Sequence, residues 1–246
     1  MVGLSPASGQ ALSDSARLRA RALAWFASAA QAVFVLGWVV RGLLERGYSP
    51  VRDYISELAR DGASHPRIFQ ASMLMWGAGS MALAFAIAPA LQGRRSWRVA
   101  PTLIALAGFL AILLAPFRLS CEDTVSHACR ALEEAGKLPW HEYAHAWGSV
   151  ALDAALWLTP FALARSFWPG RLARLLMLGG VAMGVVIAIG YATGIDRGAS
   201  AGLVQRLELL VVYGWVLALA MALLTEALPG RAPVKAMPVT LHGAPG

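Results

Sequence analysis

The chain has 246 residues, of which 58% are hydrophobic and only 14% carry a charge. A soluble domain typically has about 45–50% apolar and about 25% charged residues, so this composition excludes an ordinary soluble globular protein. The net charge of +7 is explained by arginines that flank apolar segments, which fits contact with anionic lipid, and no basic–aromatic module for nucleic acid is present. We therefore expect membrane lipid, and no nucleic acid, as the partner.

Six long apolar segments predict six membrane-spanning helices. Each is close to the roughly 20 residues that cross a hydrocarbon core of about 30 Å as a helix. Because a spanning segment must satisfy its backbone hydrogen bonds internally, we expect an all-α, polytopic bundle. The first segment is longer than the apolar part of a secretory signal and is interpreted as an uncleaved anchor. The predicted spans are residues 22–43, 69–91, 99–117, 140–164, 173–194 and 207–228.

Six spans place the two tails, residues 1–21 and 229–246, on the same side of the membrane. Lysines and arginines divide almost evenly between the two sides, so their number alone does not orient the chain. On the side of the tails, however, the arginines form tight groups beside the spans with almost no acids, whereas those opposite are mixed with acids. We expect a multi-pass protein of the cytoplasmic (inner) membrane with both termini cytoplasmic.

The first outer loop has the pattern of a short amphipathic helix. Ser49 is a suitable N-cap, Pro50 suits the first helical position and Gly62 is a plausible stop. Apolar residues recur at i, i+3, i+4 and i+7 between these limits and form one face. Arg52, Asp53, Ser56, Glu57 and Arg60 lie on the polar face. This helix is expected on the membrane surface or over the bundle, with a polar face that is either solvated or part of a site.

The second outer loop contains both cysteines of the chain, Cys121 and Cys129, together with Asp123. Two cysteines in one loop on the outer side favour a disulfide, because such bonds persist in oxidising compartments. Two free thiols are the alternative.

The fourth span opens with an H-E-x-x-H pattern formed by His141, Glu142 and His145. On a helix the two histidines lie one turn apart and could supply two zinc ligands, while Glu142 could activate a water. A third ligand is needed, and the companion motif that zinc peptidases carry downstream is missing. Zinc is therefore an alternative and not the leading interpretation. The candidate third ligands are His65, Asp123, His127 and Glu208.

The helix face of the two histidines continues through Ser149 to Asp153, which lies near mid-span. A carboxylate at this depth costs about 2.5–3.5 kcal/mol on insertion scales, so Asp153 should face the bundle interior. It could bind a ligand or relay protons. Alternatively, a protonated Asp153 bonds to Gln31 and serves helix packing, with Ser80 and Tyr191 as further partners at similar depth.

The last outer loop ends in Gln205 and Arg206, directly before the sixth span. This places Arg206 at the outer mouth of the bundle, where its long side chain could simply extend to the headgroup layer.

Several short motifs are spread through the chain: Tyr48-Ser49-Pro50, Ile55 to Ala59, Pro116-Phe117 leading to Asp123, then His145, and Gln205-Arg206. Together they resemble a bacterial and archaeal membrane family catalogued as domain of unknown function 998, over about residues 20–228. The resemblance brings no established activity, and His141-Glu142 is not part of its pattern. It implies that one set of residues groups at the outer ends of the spans: Ser56, Glu57, Asp123, His145 and Arg206.

The leading prediction is a membrane protein with an outward-facing polar pocket that binds a lipid headgroup or small amphiphile. With the grouping that the resemblance implies, Arg206 could bind an anionic headgroup in that pocket. His145 could form an acid–base or metal pair there with Glu57 or Asp123. The alternatives are an intramembrane metal- or His-dependent hydrolase of lipids and a proton-coupled transporter. The predicted ligand-binding residues are Arg206, Ser56, Gln205 and Asp153.

Overall fold

The computed structural model describes residues 14–122, 124, 126–193 and 200–225, with the backbone alone for residues 190–193. Within these residues the chain is helical and has no strand, which confirms the all-α prediction. A 3₁₀ helix, Ile55–Ala59, lies in the first loop. The α-helices are α1 (Asp14–Leu44), α2 (Pro66–Leu91), α3 (Val99–Leu114), α4 (His127–Glu134), α5 (Trp140–Phe167), α6 (Arg171–Thr193) and α7 (Ala201–Leu224).

Five of these helices, α1, α2, α5, α6 and α7, are long and apolar enough to cross a membrane. The protein is therefore a multi-pass helical membrane protein. α3 is also apolar but has 16 residues, fewer than the roughly 20 that a perpendicular crossing requires. The count of six crossings stays a prediction. α1 begins at Asp14, inside the segment expected to be a tail, because the alanines, leucines and arginines before the apolar run also favour a helix.

Six helices form a closed ring, in which each helix packs against its neighbour in the order α1, α2, α3, α5, α6, α7 and back to α1. The ring closes where Arg21 Nη2 donates a hydrogen bond of 3.2 Å to the carbonyl of Leu224. Since successive ring helices are antiparallel, the first loop (residues 45–65), the second loop (residues 115–139) and the start of α7 meet at one end. We call this the loop end.

Close backbone contact and aromatic stacking hold α1, α2 and α3 together. A Cβ atom on Gly77 or Gly108 would lie 2.6 Å from the carbonyl oxygen of the other, so only glycine permits this approach of α2 to α3. On the other side of α2, Trp76 stacks on Phe34 with ring centroids 4.8 Å apart. Trp76 Nε1 also donates to Gln31 Oε1 at 3.1 Å. Gln31 thus pairs with Trp76 and not with Asp153.

The first loop is not the continuous helix that its pattern predicted. A turn follows Ser49, the backbone is extended at Tyr54, and only the five residues Ile55–Ala59 are helical. Asp53 and Glu57 were expected on a solvated or site-forming face, but they are 3% and 1% exposed. Hydrogen-bonding groups from the second loop and α7 reach this segment, and these tertiary bonds replace those of a longer helix.

α4 lies in the second loop, where no helix was predicted. Ser126 caps it by accepting a hydrogen bond of 3.2 Å from the backbone of Cys129, and Gly136 follows its end with a φ of 65°. Cys129 is bonded to Cys121 in a disulfide with Cα atoms 6.0 Å apart. The disulfide ties α4 to the beginning of the second loop.

Candidate functional site

A cavity of about 440 Å³ opens at the loop end. One face of α5 forms its longest wall, α7 forms the opposite wall, and both loops contribute side chains. Ser56 of the 3₁₀ helix lines it, as do both disulfide-bonded residues, Cys121 and Cys129. The second loop therefore forms part of the cavity wall through a covalently fixed segment.

The wall of α5 is a polar stripe that runs from the loop end toward the middle of the helix. Glu142, His145, Ser149 and Asp153 all line the cavity, because residues three or four apart share a helix face. Trp157 continues the stripe one turn deeper, and its Nε1 donates 3.0 Å to the carbonyl of Gly180 on α6.

His145 and Asp153, both in this stripe, lie at different depths. His145 is 9% exposed and lies near the loop end. Asp153 lies near the middle of α5, and its carboxylate has no hydrogen-bond or ion-pair partner among the side chains that the structure describes. The side chain of Tyr191, one of its expected partners, lies outside them. An ionisable group at membrane depth ordinarily has a partner or faces a polar cavity. The carboxylate of Asp153 faces the cavity.

α7 brings Gln205 and Glu208 to the opposite wall. Gln205 Oε1 accepts a hydrogen bond of 2.7 Å from the backbone N–H of Ile55. This bond fixes the 3₁₀ helix against α7, and it thereby positions the neighbouring Ser56 at the cavity. Gln205 thus both lines the cavity and holds a second lining residue in place.

Arg206 does not line the cavity and instead holds the first loop. Its Nη1 donates to the carbonyls of Asp53 at 3.1 Å and Gly202 at 2.8 Å, and its Nη2 donates to the hydroxyl of Tyr48. The guanidinium also lies 5.2 Å from the ring centroid of Trp38. Burial raises the pKa of Tyr48, an effect that Arg206 partly opposes, so the phenol is neutral at physiological pH and accepts this bond.

Behind the cavity wall, Glu57 and Asp53 meet Thr124 of the second loop. The hydroxyl of Thr124 lies 2.8 and 2.9 Å from the two carboxylate oxygens of Glu57 and 3.3 Å from Asp53. The backbone N–H of Thr124 donates to Glu57 at 3.2 Å. Glu57 does not line the cavity, and these contacts make it a link between the two loops.

A second charged network braces the first loop around Glu45. Arg41, with no exposed surface, donates to this carboxylate at 2.8 Å, and Ser64 donates from its backbone at 3.0 Å and its hydroxyl at 2.7 Å. Arg60 lies 3.3 Å away. Burial alone would raise the pKa of Glu45, but the bonds from Arg41 and Ser64 and the charge of Arg60 lower it to about 2.

The H-E-x-x-H residues are divided between two environments. His141 Nε2 lies 3.2 Å from the hydroxyl of Ser120, and Glu142 accepts a hydrogen bond from the Ser120 backbone. Glu142 and His145 line the cavity, whereas His141 does not. No group of three or more His, Cys, Asp or Glu side chains suited to a metal ion occurs within the described ranges. Zinc binding stays a prediction.

Asp123, the other predicted partner of His145, lies outside the described residues, so that pairing also stays a prediction. The structure brings four of the predicted catalytic and ligand-binding residues together around the cavity, and it places Glu57 and Arg206 elsewhere. The four are Ser56, His145, Asp153 and Gln205.

Sequence reasoning missed four residues here: Trp157, Tyr143 and Glu133, which line the cavity, and Thr124 behind its wall. Trp157 could have been found by extending the His145–Asp153 stripe one further turn along the helix face. Thr124 and Glu133 had no such signal, because their positions depend on how the second loop folds.

A comparison with protein-family models places residues 28–222 in one family, described as protein of unknown function DUF998. This chain belongs to the DUF998 family. The predicted resemblance is confirmed, and the motifs that carried it fall within the matched residues. No curated protein and no solved structure matches the chain. For this DUF998 protein the family assigns no activity, so a functional proposal must rest on the cavity.

Proposed function

We propose that this DUF998 protein binds the polar head of a lipid or small amphiphile in the loop-end cavity. The main support is Asp153, a carboxylate near the middle of a membrane-length helix that lines the cavity and has no partner among the described side chains. Such a group is costly in a membrane unless it is neutralised or solvated. A bound polar head would offset that cost.

The composition of the walls supports an amphiphile more than a fully polar solute. Apolar side chains such as Val150, Ala154 and Ile187 alternate with the polar groups of Ser56 and Gln205. A volume of about 440 Å³ is within the range of about 300–1,000 Å³ typical of small-molecule sites, which are mostly apolar with a few placed polar groups. The polar groups would bind the head and the apolar walls the adjoining carbons.

The loop end is proposed to face away from the cytoplasm, with both termini cytoplasmic and the protein in the inner membrane. The disulfide between Cys121 and Cys129 supports this orientation. In intact cells, an impermeant maleimide should label the loop only after an impermeant reductant is added. Labelling that requires permeabilised cells would place the loop end in the cytoplasm.

The same observation on Asp153 supports a second candidate, transport coupled to protons. In that case Asp153→Asn should abolish pH-dependent flux in proteoliposomes while the variant still binds ligand. Unchanged flux in this variant would exclude Asp153 as the relay.

Binding is tested by filling the cavity. Ala154 lines it, whereas Ala151 on the same helix does not. Native mass spectrometry should find a co-purifying amphiphile on the wild type and on Ala151→Phe, and should find it lost or strongly reduced on Ala154→Phe. Equal occupancy in the two variants, or no adduct on the wild type, would count against binding in this cavity.

A further inference from the structure

Apart from His145, the charged side chains that line the cavity are all acidic. Glu133, Glu142, Asp153 and Glu208 line it, and none of the described lining residues is a lysine or arginine. Arg206 follows the lining residue Gln205 in sequence, but its guanidinium is bound to the first loop. Apart from His145, no described lining side chain could supply the positive charge that an anionic headgroup would need.

Four carboxyl groups around one cavity favour a bound positive charge, and a low dielectric strengthens that attraction. A cation in the cavity would give Asp153, which has no partner among the described side chains, an oppositely charged one. Asp153 lies about three helical turns beyond Glu142 on α5, so a positive charge that reached Asp153 from the loop end would pass Glu142. The arrangement is electrostatically suited to a positively charged head.

Other lining groups suit an organic cation in particular. The ring of Trp157 lies one helical turn beyond Asp153 and can face an ammonium group. The hydroxyl of Ser149 lies one turn before it and can accept an N–H bond. Tyr143 also lines the cavity, and its hydroxyl is buried with no hydrogen-bond partner among the described residues. These are groups that recognise amines.

We propose that the amphiphile bound by this cavity carries a cationic amine head, which pairs with Asp153 while its apolar part lies along α5. This proposal rests on the proposed function. It replaces an anionic headgroup, which the sequence had suggested through Arg206, with a ligand of opposite charge.

The test compares three amphiphiles with the same doxyl-labelled dodecyl chain and different heads: a primary ammonium, a hydroxyl and a sulfonate. Binding to purified protein in a neutral glycoside detergent is measured from the immobilised fraction of the spin label. The ammonium probe should bind about 10–100-fold more tightly than the hydroxyl probe, as a charge-assisted hydrogen bond predicts. The sulfonate probe should bind weakest.

Two variants assign the effect to the cavity. In Asp153→Asn, which preserves side-chain size, the preference for ammonium over hydroxyl should fall to about two-fold or less. Glu208→Gln removes a carboxylate from the α7 wall of the cavity, and it should weaken binding of the ammonium probe but not of the other two probes. Ala154→Phe should reduce binding of every probe, whereas Ala151→Phe should reduce none.

Each outcome has a distinct meaning. If ammonium and hydroxyl probes bind equally and both are lost in Ala154→Phe, the amine proposal is overturned and the amphiphile site remains. If no probe binds, or if Ala154→Phe changes nothing, the proposed function fails as well. If sodium or zinc ions alone displace the ammonium probe at stoichiometric concentration, the cavity takes an inorganic cation and the amine proposal is overturned.

Discussion

Arg206 provides the sharpest test of how the loop end is built. In the structure its guanidinium donates to two backbone carbonyls, of Asp53 and Gly202, and to the hydroxyl of Tyr48. Arg206→Ala removes all three bonds and leaves their acceptors without this donor. Hydrogen bonds to charged groups are worth about 1.5–3 kcal/mol each, but bonds from one side chain are not additive. We expect a loss of about 3–5 kcal/mol in the free energy of unfolding, which is less than the simple sum of three such bonds.

For a chain of this length such a loss lowers the melting temperature by on the order of 10 °C. The assay is thermal unfolding in neutral detergent, combined with trypsin cleavage after the exposed Arg46 in the first loop. Arg206→Lys keeps the charge but not the planar fork of donors, so it should lose roughly half as much. Arg118→Ala is the matched control. It removes an exposed contact of 3.7 Å to Asp61 and should cost less than about 1 kcal/mol.

The result that would refute this reasoning is specific. Arg206→Ala and Arg118→Ala could have the same melting temperature and the same resistance to trypsin. If Arg206→Ala then also lost a co-purifying anionic lipid, Arg206 would bind a headgroup and would not support the first loop. Loss of stability with unchanged lipid content would support the geometry described above.

Three further predictions concern the same end of the bundle. Gly202→Ala should lower the free energy of unfolding by about 1–3 kcal/mol, because the new Cβ would lie 2.3 Å from the carbonyl oxygen of Asp53. In the control Gly214→Ala, on the same helix, the new Cβ meets nothing within 4 Å, so stability should be unchanged or higher. Equal melting temperatures for the two variants would contradict the close approach at Gly202. Thr124→Val should destabilise by about 1–3 kcal/mol, because the buried Glu57 carboxylate loses a donor, and an unchanged unfolding curve would count against that link. Since the pKa of Glu45 is lowered from 4.5 to about 2, the stability that its carboxylate contributes is fully present above pH 4.5 and is lost as the pH falls toward 2. Glu45→Gln should therefore have a lower free energy of unfolding than the wild type at pH 6, and this difference should be smaller at pH 3. A difference that does not change with pH would show that the charge of Glu45 does not stabilise the fold.

The helical architecture was predictable because each segment carries its own reason to be a helix. An apolar run in a membrane must satisfy its backbone internally, so hydrophobicity and length alone indicate where the helices lie. The stripe from His145 to Asp153 was predictable for a similar reason, since helical periodicity fixes which side chains share a face.

The loops were less predictable because their conformation is set by partners distant in sequence. The pattern after Ser49 fits an amphipathic helix, yet the segment is held by Gln205 and Arg206 of α7 and by Thr124 of the second loop. α4 shows the same limit. Its cap and its disulfide are local, but its place over the cavity is not encoded by any periodic pattern.

For this protein, then, the sequence by itself determined a helical membrane bundle of the DUF998 family and the polar face of α5. Only the tertiary structure decided that Gln205 faces the cavity while the next residue, Arg206, turns to the first loop, and that Glu57 is buried against Thr124. The physical reason is that neighbouring positions on a helix point about 100° apart. Which of them meets a cavity and which meets a loop depends on how the helices and loops pack, and no local pattern carries that information.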